Sequence, residues 1–243
     1  MAAGLAKHRA QSVGKLAPGV VKPGTSMEAV WTHLHRCLER LVQSLRDSPV
    51  ANENGVTSRL LSVLEREKGY RSYFFRPEDM QDETDGNSRR VDLAAEARED
   101  ADGDVLLVGI NESSNRRFLA IEAKRLPTTP KAREREYLSG DRGGIARFKR
   151  GDHGSALPVV GMIGYLQKRS AAYWKTTVNA WIDDLIKTPL DGIPWDTHDK
   201  LTLNGPDDVL VVRLDSSSHR ITDGTRIAIR HLWVQLGAAH STG

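Results

Sequence analysis

The sequence has a single cysteine and no long apolar run. With Cys37 as the one cysteine among 243 residues, an intramolecular disulfide and an all-cysteine zinc site are both excluded. Chains without disulfides are typical of reducing compartments, so we expect the protein to be cytoplasmic. No uncharged segment reaches the length of about 18 apolar residues that a transmembrane helix needs, and we therefore expect no membrane contact.

The net charge is also small, and several common motifs are missing. The chain has 35 Lys and Arg against 32 Asp and Glu, a net charge of +3, which excludes a histone-like polycation. P-loop, Rossmann and HExxH motifs are absent. Residues 1–25 contain basic residues but no acidic one. We predict that they form a disordered basic arm ahead of a single domain over residues 26–243.

What the sequence does contain is an alternation of helical and strand patterns. Helical spacing of apolar residues predicts helices over 25–47, 52–68 and 171–186, with shorter ones near 131–138 and 145–150. Short apolar or alternating segments predict strands over 70–75, 91–97, 104–110, 118–124, 157–166, 209–214 and 227–236. This order predicts one α/β domain, a mixed central β-sheet flanked by helices, with an N-terminal helix and a C-terminal strand extension.

Charged side chains at the ends of two predicted strands are the most informative feature. Glu122 and Lys124 close an apolar strand, and since residues i and i+2 of a strand face the same side, they project together. Asp92 opens another strand. Buried charges need partners, so we expect these residues to meet. Two carboxylates form a hard-oxygen site that suits Mg²⁺, and Lys124 beside it can orient an attacking water.

These residues resemble the PD-(D/E)xK signature of the restriction-endonuclease-like nucleases. Asp92 is followed thirty positions later by Glu122-Ala123-Lys124, although Val91 rather than proline precedes Asp92. The resemblance implies a restriction-endonuclease-like core. It also implies that Asp92 and Glu122 bind Mg²⁺, with Mn²⁺ able to substitute, and that Lys124 positions the nucleophilic water.

The resemblance extends to further parts of the chain. The family often has a metal-associated Glu in a helix before the first core strand, and Glu53 holds that place; a purely structural role at the positive end of the helix is the alternative. Several members carry a Gln in the helix after the ExK strand, which makes Gln167 a candidate accessory residue. Residues 227–233 are similar to uncharacterised bacterial relatives, some encoded near phage-defence genes, which implies a setting in antiviral defence.

Charge is distributed unevenly around the candidate residues. Between residues 78 and 104, 11 acidic residues stand against three Arg, a net charge of −8. Between residues 124 and 150, nine Lys and Arg stand against three acidic residues, a net charge of +6. A phosphodiester backbone is the natural partner of such a basic segment. We expect phosphate contacts from four of its residues: Arg142, Arg147, Lys149 and Arg150.

The leading hypothesis is a Mg²⁺-dependent endonuclease that hydrolyses phosphodiester bonds of DNA, with RNA left open as a substrate. Since the sequence contains no evident recognition module, specificity would come from loops, a homodimer or a partner protein. One alternative is a nucleic-acid-binding or complex-assembly module with the same fold and no turnover. Another is an unrelated α/β protein in which Asp92 and Glu122 lie far apart. We expect His153 to be a loop histidine and His231 a core or interface histidine.

Overall fold

The computed structural model describes residues 25–50, 52–67, 73–80, 90–97, 117–127, 131–140, 142–205 and 210–237. The predicted strand 104–110 and all of the predicted basic arm except Thr25 lie outside the described residues. Within the described ranges, no helix combines the length and the apolar character needed to cross a membrane.

The described elements follow the order that the sequence pattern predicts. The helices are α1 (Thr25–Asp47), α2 (Glu53–Arg66), α3 (Gly144–Arg150) and α4 (Ala171–Lys187). The strands are β1 (Tyr73–Met80), β2 (Arg90–Ala97), β3 (Arg117–Leu126), β4 (Val159–Leu166), β5 (Thr202–Leu203), β6 (Val211–His219) and β7 (Arg226–Gln235). Two 3-10 segments cover Lys131–Tyr137 and Thr197–Asp199.

The described strands form one mixed sheet in the order β1-β2-β3-β4-β7-β6-β5. The central strands β3, β4 and β7 run parallel, and the strands on either side of them pair antiparallel. Strands β3 and β4 are buried along nearly their whole length, because helices cover both faces of the sheet. The general prediction of an α/β fold with a mixed sheet flanked by helices is confirmed.

Two apolar cores lie on opposite faces of this sheet. On one face, α1 and α2 pack against alternate residues of the strands, including Leu119 and Ile121 of β3. On the other face, α3, α4 and the first 3-10 segment cover the remaining residues, including Ala120 of β3. Trp174 and Trp181, seven positions apart on α4, both lie in this second core, as their helical spacing predicts. Glu122 and Lys124 share the face of Ala120, so they point toward α3.

The structure corrects three of the predicted elements. Strand β1 continues past the predicted end at residue 75 to Met80, while the predicted start at 70 lies outside the described residues. It includes Pro77, which an edge strand tolerates because one side of its backbone needs no partner. The segment 131–138 is a 3-10 helix rather than an α-helix. Strand β6 continues past the predicted end at residue 214 through a run of serines to His219, and the inward-facing Ser216 and Ser218 bond to the buried polar side chains of His231 and Asp199.

Candidate active site

Strand β3 continues past the point where its pairing with β2 ends. The last pair on β2 is at Leu93, one residue short of Asp92. The next two N–H groups on that edge of β3 donate to carboxylates instead: the Ala123 N–H to Asp92 Oδ2 at 2.7 Å, and the Arg125 N–H to Glu53 Oε2 at 2.9 Å. Buried N–H groups need an acceptor, and beyond Leu93 the backbone of β2 no longer supplies one to β3. The carboxylates of Asp92 and Glu53 accept these hydrogen bonds instead, which fixes their positions beside β3.

The start of α2 explains how Glu53 reaches this strand end. Asn52 is the N-cap residue, and its side chain accepts a hydrogen bond from the Gly55 N–H at 2.7 Å. Glu53 is therefore the first residue of the helix, where a carboxylate is favoured by the positive end of the helix dipole. Both the structural and the functional interpretation of Glu53 agree with this position, since the same carboxylate also contacts β3 and the ammonium of Lys124.

The Lys124 ammonium lies between three carboxylates. Its Nζ is 3.7 Å from Glu53 Oε1, 4.0 Å from Asp92 Oδ2 and 3.7 Å from Glu122 Oε2. The lysine side chain is 7% exposed, while Asp92 and Glu53 keep 33% and 24% of their side-chain surface in contact with solvent. Asp92 and Glu53 thus form the open side of the cluster, and Glu122 with Lys124 forms its base. The alternative in which Asp92 and Glu122 lie far apart does not fit this geometry.

Glu122 is completely buried and touches three nitrogen-bearing side chains. Its Oε2 accepts a hydrogen bond from Arg147 Nη1 at 3.1 Å and faces Lys124, while its Oε1 lies 2.5 Å from His153 Nδ1. Burial alone would raise the pKa of the Glu122 carboxyl, but His153, Lys124 and Arg147 outweigh burial and hold the pKa below its usual value. Glu122 therefore stays ionised in the interior.

Asp92 is shifted in the opposite direction. Its pKa is raised to about 7, first because packed protein atoms remove water from the carboxyl and second because the Glu122 charge repels it. Lys124 and the Ala123 N–H oppose this shift without cancelling it. A carboxyl with such a raised pKa among other carboxylates lies where an additional positive charge would be stabilised.

The residues of this cluster fit a divalent cation of the magnesium type. Carboxylate oxygens are the ligands that Mg²⁺ prefers, and Asp92 and Glu53 present theirs on the partly exposed side of the cluster. No group of three or more His, Cys, Asp or Glu side chains in the described ranges is arranged so that together they could hold a metal ion. Mg²⁺ does not require such a group, because it usually binds through one or two carboxylates and completes its shell with water and phosphate.

The four basic residues predicted to contact phosphate separate in the structure. Arg147 lies in the cluster, against Glu122. Arg142 is exposed, and Arg150 is partly exposed and pairs with Asp152 at 2.7 Å. Lys149 is 1% exposed and its Nζ lies 2.8 Å from both carboxylate oxygens of Asp199. The prediction that Lys149 contacts phosphate is wrong, because its charge is neutralised inside the protein.

Gln167 does not occupy the place that the family resemblance implies. It follows directly after β4, and its backbone N–H donates to the Leu126 carbonyl at 3.0 Å. The helix that comes after the ExK strand is α3, and the α3 side chain that reaches the cluster is Arg147. Gln167 thus lies outside that helix, and the α3 side chain that contacts Glu122 is Arg147.

Sequence reasoning missed one residue of the cluster altogether. His153, predicted to be an ordinary loop histidine, is fully buried and reaches Glu122. The local pattern that could have indicated it is the pair of glycines around it, since Gly151 and Gly154 both have a positive φ, of 72° and 57°. Such glycines allow a short loop to fold back tightly onto a neighbouring sheet.

Comparison with known proteins gives no independent indication that the chain is related to the restriction-endonuclease-like nucleases. No family model matches the chain, and neither a curated protein nor a solved structure matches it.

Proposed function

We propose that this protein is a Mg²⁺-dependent nuclease with a restriction-endonuclease-like core. The observation that carries the proposal is the convergence of Glu53, Asp92 and Glu122 within 4.0 Å of the Lys124 ammonium. Charges at a strand end that only stabilised the fold would be expected to pair one to one. Here three carboxylates meet Lys124 and Arg147, and of the three Arg147 contacts Glu122 only, so Asp92 and Glu53 share the one lysine and leave a negative charge that attracts a further cation.

Each side chain has a role in the proposed reaction that follows from its position. Asp92 and Glu122, with Glu53 beside them, would hold the divalent cation, which when bound polarises phosphate and lowers the pKa of water. The Lys124 ammonium has only N–H donors, so it would orient the attacking water and face the charge that develops on phosphate rather than accept a proton. Arg147 lies close enough to share that negative charge once phosphate is present.

A basic cleft formed by the segment that follows β3 supports nucleic acid as the substrate. The cleft has a volume of about 650 Å³, and Lys131, Arg133, Arg135 and Arg142 lie along it together with two glutamates. The pKa of Arg133 is raised, chiefly by its ion pair with Glu136 and to a smaller extent by the charge of Glu53. A polyanion entering the cluster would pass these cations. DNA is the proposed substrate class, and antiviral defence in the cytoplasm is the proposed setting.

The direct test is cleavage of supercoiled, linear and single-stranded DNA, and of RNA, in Mg²⁺, Mn²⁺ or EDTA. We expect cleavage of DNA with either metal and none in EDTA. Lys124→Ala and Asp92→Ala should each lower the rate by about 10²–10³-fold, because each removes a charge next to the reacting phosphate. The matched controls are Lys200→Ala and Asp183→Ala, which break an exposed ion pair of 2.7 Å and should leave the rate unchanged.

Each other outcome identifies a different error. Cleavage that survives both Lys124→Ala and Asp92→Ala would assign the reaction to another site. Cleavage of RNA alone would retain the site and change the substrate. DNA binding without cleavage, measured by fluorescence anisotropy under the same conditions, would favour the binding or complex-assembly module over the nuclease.

A further inference from the structure

His153 is a buried polar residue whose cost to the fold calls for an explanation. It is 0% exposed, and within the described residues its Nε2 has no hydrogen-bond partner, while its Nδ1 faces a carboxylate. A buried polar group without a hydrogen bond costs on the order of 1–3 kcal/mol. Nδ1 lies 2.5 Å from Glu122 Oε1, a charged contact whose angles fall outside hydrogen-bond geometry. The two atoms are held against each other by the surrounding fold.

The loop that carries His153 is fixed at several points. Gly151 ends α3 with a φ of 72°, and a Cβ on Gly154 would lie 3.1 Å from Val160 Cγ1 and 3.3 Å from Ala120 Cβ. The loop therefore packs directly on strands β3 and β4. Its contact on β3 is Ala120, which lies two residues before Glu122 and on the same face. Arg220 Nη2 holds it there by donating to the Gly154 carbonyl at 2.6 Å and to the Leu157 carbonyl at 2.7 Å.

The two oxygens of Glu122 are contacted from different elements. Oε2 meets Arg147 of α3 and Lys124 of β3, while Oε1 meets His153 of the following loop. With both oxygens contacted, the plane of the carboxylate is defined. A carboxylate whose orientation is fixed in advance loses less freedom when it ligates a cation.

We infer that His153 is a positioning residue that orients Glu122 for the divalent cation. The inference rests on the proposed function, because it assumes that Glu122 is a ligand. His153 itself makes no contact with substrate in this role. Residues that support metal ligands in this way typically change metal affinity by 10–100-fold when they are replaced.

Two substitutions separate positioning from packing. His153→Phe keeps a ring that can pack edge-on against Phe148, as His153 does at 6.4 Å between ring centroids, but it removes the nitrogen facing Glu122. His153→Asn keeps a polar atom near the position of Nδ1 but removes most of the ring. A packing role would make the Asn variant the worse of the two, and a positioning role would make the Phe variant the worse.

The experiment is calorimetric titration of the full chain with Mn²⁺ in the absence of nucleic acid, with thermal unfolding of each variant measured in parallel. We expect His153→Phe to raise the Kd for Mn²⁺ by about tenfold or more while its Tm changes less than that of His153→Asn. His153→Asn should stay within about threefold of the wild-type Kd. In cleavage assays, excess Mg²⁺ should restore the rate of His153→Phe.

The possible failures are distinguishable. If wild type and His153→Phe bind Mn²⁺ with the same Kd, the positioning role of His153 is overturned and the proposed function stands. If His153→Asn loses as much affinity as His153→Phe, ring packing rather than orientation of Glu122 explains the residue. If the wild type binds no Mn²⁺, the metal site and this inference fall together.

Discussion

Two groups of buried charges lie on the same face of the sheet, and they differ in how completely their atoms are paired. Lys149 Nζ lies 2.8 Å from both carboxylate oxygens of Asp199, which also accepts hydrogen bonds from Ser218 and from the Asp196 N–H. Around Lys124, by contrast, three carboxylates stay 3.7–4.0 Å away. One group contains one carboxylate for its lysine, and the other contains an excess of carboxylates.

This difference separates a structural ion pair from a candidate site. In the Lys149–Asp199 pair the charges cancel and the polar atoms are hydrogen-bonded. This arrangement offsets the desolvation penalty of burying the two charges. Around Lys124 the pKa of Asp92 is raised, first by burial and second by the charge of Glu122, and none of the three carboxylates comes closer than 3.7 Å to the ammonium. A cluster that is destabilising by itself gains most from a ligand of opposite charge. A buried lysine with one carboxylate at hydrogen-bonding distance thus forms a structural ion pair, whereas a lysine that faces several more distant carboxylates belongs to a candidate site.

The largest predicted effect is the loss of the structural ion pair. Asp199→Ala leaves the Lys149 ammonium buried without a counter-charge and removes the acceptor of two further hydrogen bonds. We expect the free energy of unfolding to fall by about 3–5 kcal/mol, measured by urea denaturation. A loss of stability of this size would show that the buried Lys149–Asp199 pair is needed for the fold.

The matched control for this prediction removes both charges. Asp199→Asn combined with Lys149→Met keeps an acceptor for Ser218 and fills the same space, so most of the lost stability should return. A cost below about 1 kcal/mol for Asp199→Ala alone would contradict the interpretation, because it would mean that the Lys149 ammonium finds water or another partner.

Sequence reasoning could identify the residues of the cluster that depend on local geometry. The strand period of two brings Glu122 and Lys124 to one face, and a position at a strand end brings Asp92 near them. The capped helix start places Glu53 at the same edge of the sheet. The distances to the Lys124 ammonium agree with this expectation, while the catalytic roles of these residues stay a prediction.

Residues whose roles depend on distant contacts could not be predicted. Arg147 and Lys149 are two positions apart on one short helix, yet one reaches Glu122 and the other is neutralised by Asp199, fifty residues further along the chain. A run of basic residues does not show which of its side chains a later segment will bury. His153 presents the same difficulty, because its contact with Glu122 depends on how its loop folds onto the sheet.

A second prediction extends the comparison to a buried histidine in a fully bonded network. His231 Nδ1 lies 2.7 Å from the Tyr137 hydroxyl, and its Nε2 lies 3.0 Å from Ser216 Oγ. Burial lowers the His231 pKa from 6.5 to about 3, so the folded state resists protonation and the unfolded state accepts it. The resulting stability is present above pH 6.5 and is lost as pH falls through that value toward the folded pKa.

The measurement is the difference in unfolding free energy between wild type and His231→Gln at pH 7 and at pH 5. We expect the wild type to be the more stable at pH 7 and its advantage to shrink by about 2 kcal/mol at pH 5, since one proton per pH unit is worth about 1.4 kcal/mol. An advantage that does not change with pH would mean that His231 takes up a proton as readily in the folded protein as in the unfolded chain.

The smallest predicted effect has the opposite dependence on pH and comes from the excess of carboxylates. The folded pKa of Asp92 is raised from 3.8 to about 7, so this residue contributes a penalty that is absent at pH 4, grows as pH rises and is complete above pH 7. Asp92→Asn keeps an acceptor for the Ala123 N–H and removes the charge. In EDTA we expect it to be more stable than wild type by about 1–2 kcal/mol at pH 8, a value reduced for the solvent that reaches a carboxyl 33% exposed, and equally stable at pH 4. Mg²⁺ should remove the difference at pH 8 by stabilising only the wild type. A less stable Asp92→Asn protein at pH 8 would show that Asp92 is paired as fully as Asp199, and the distinction between the two groups of charges would not hold.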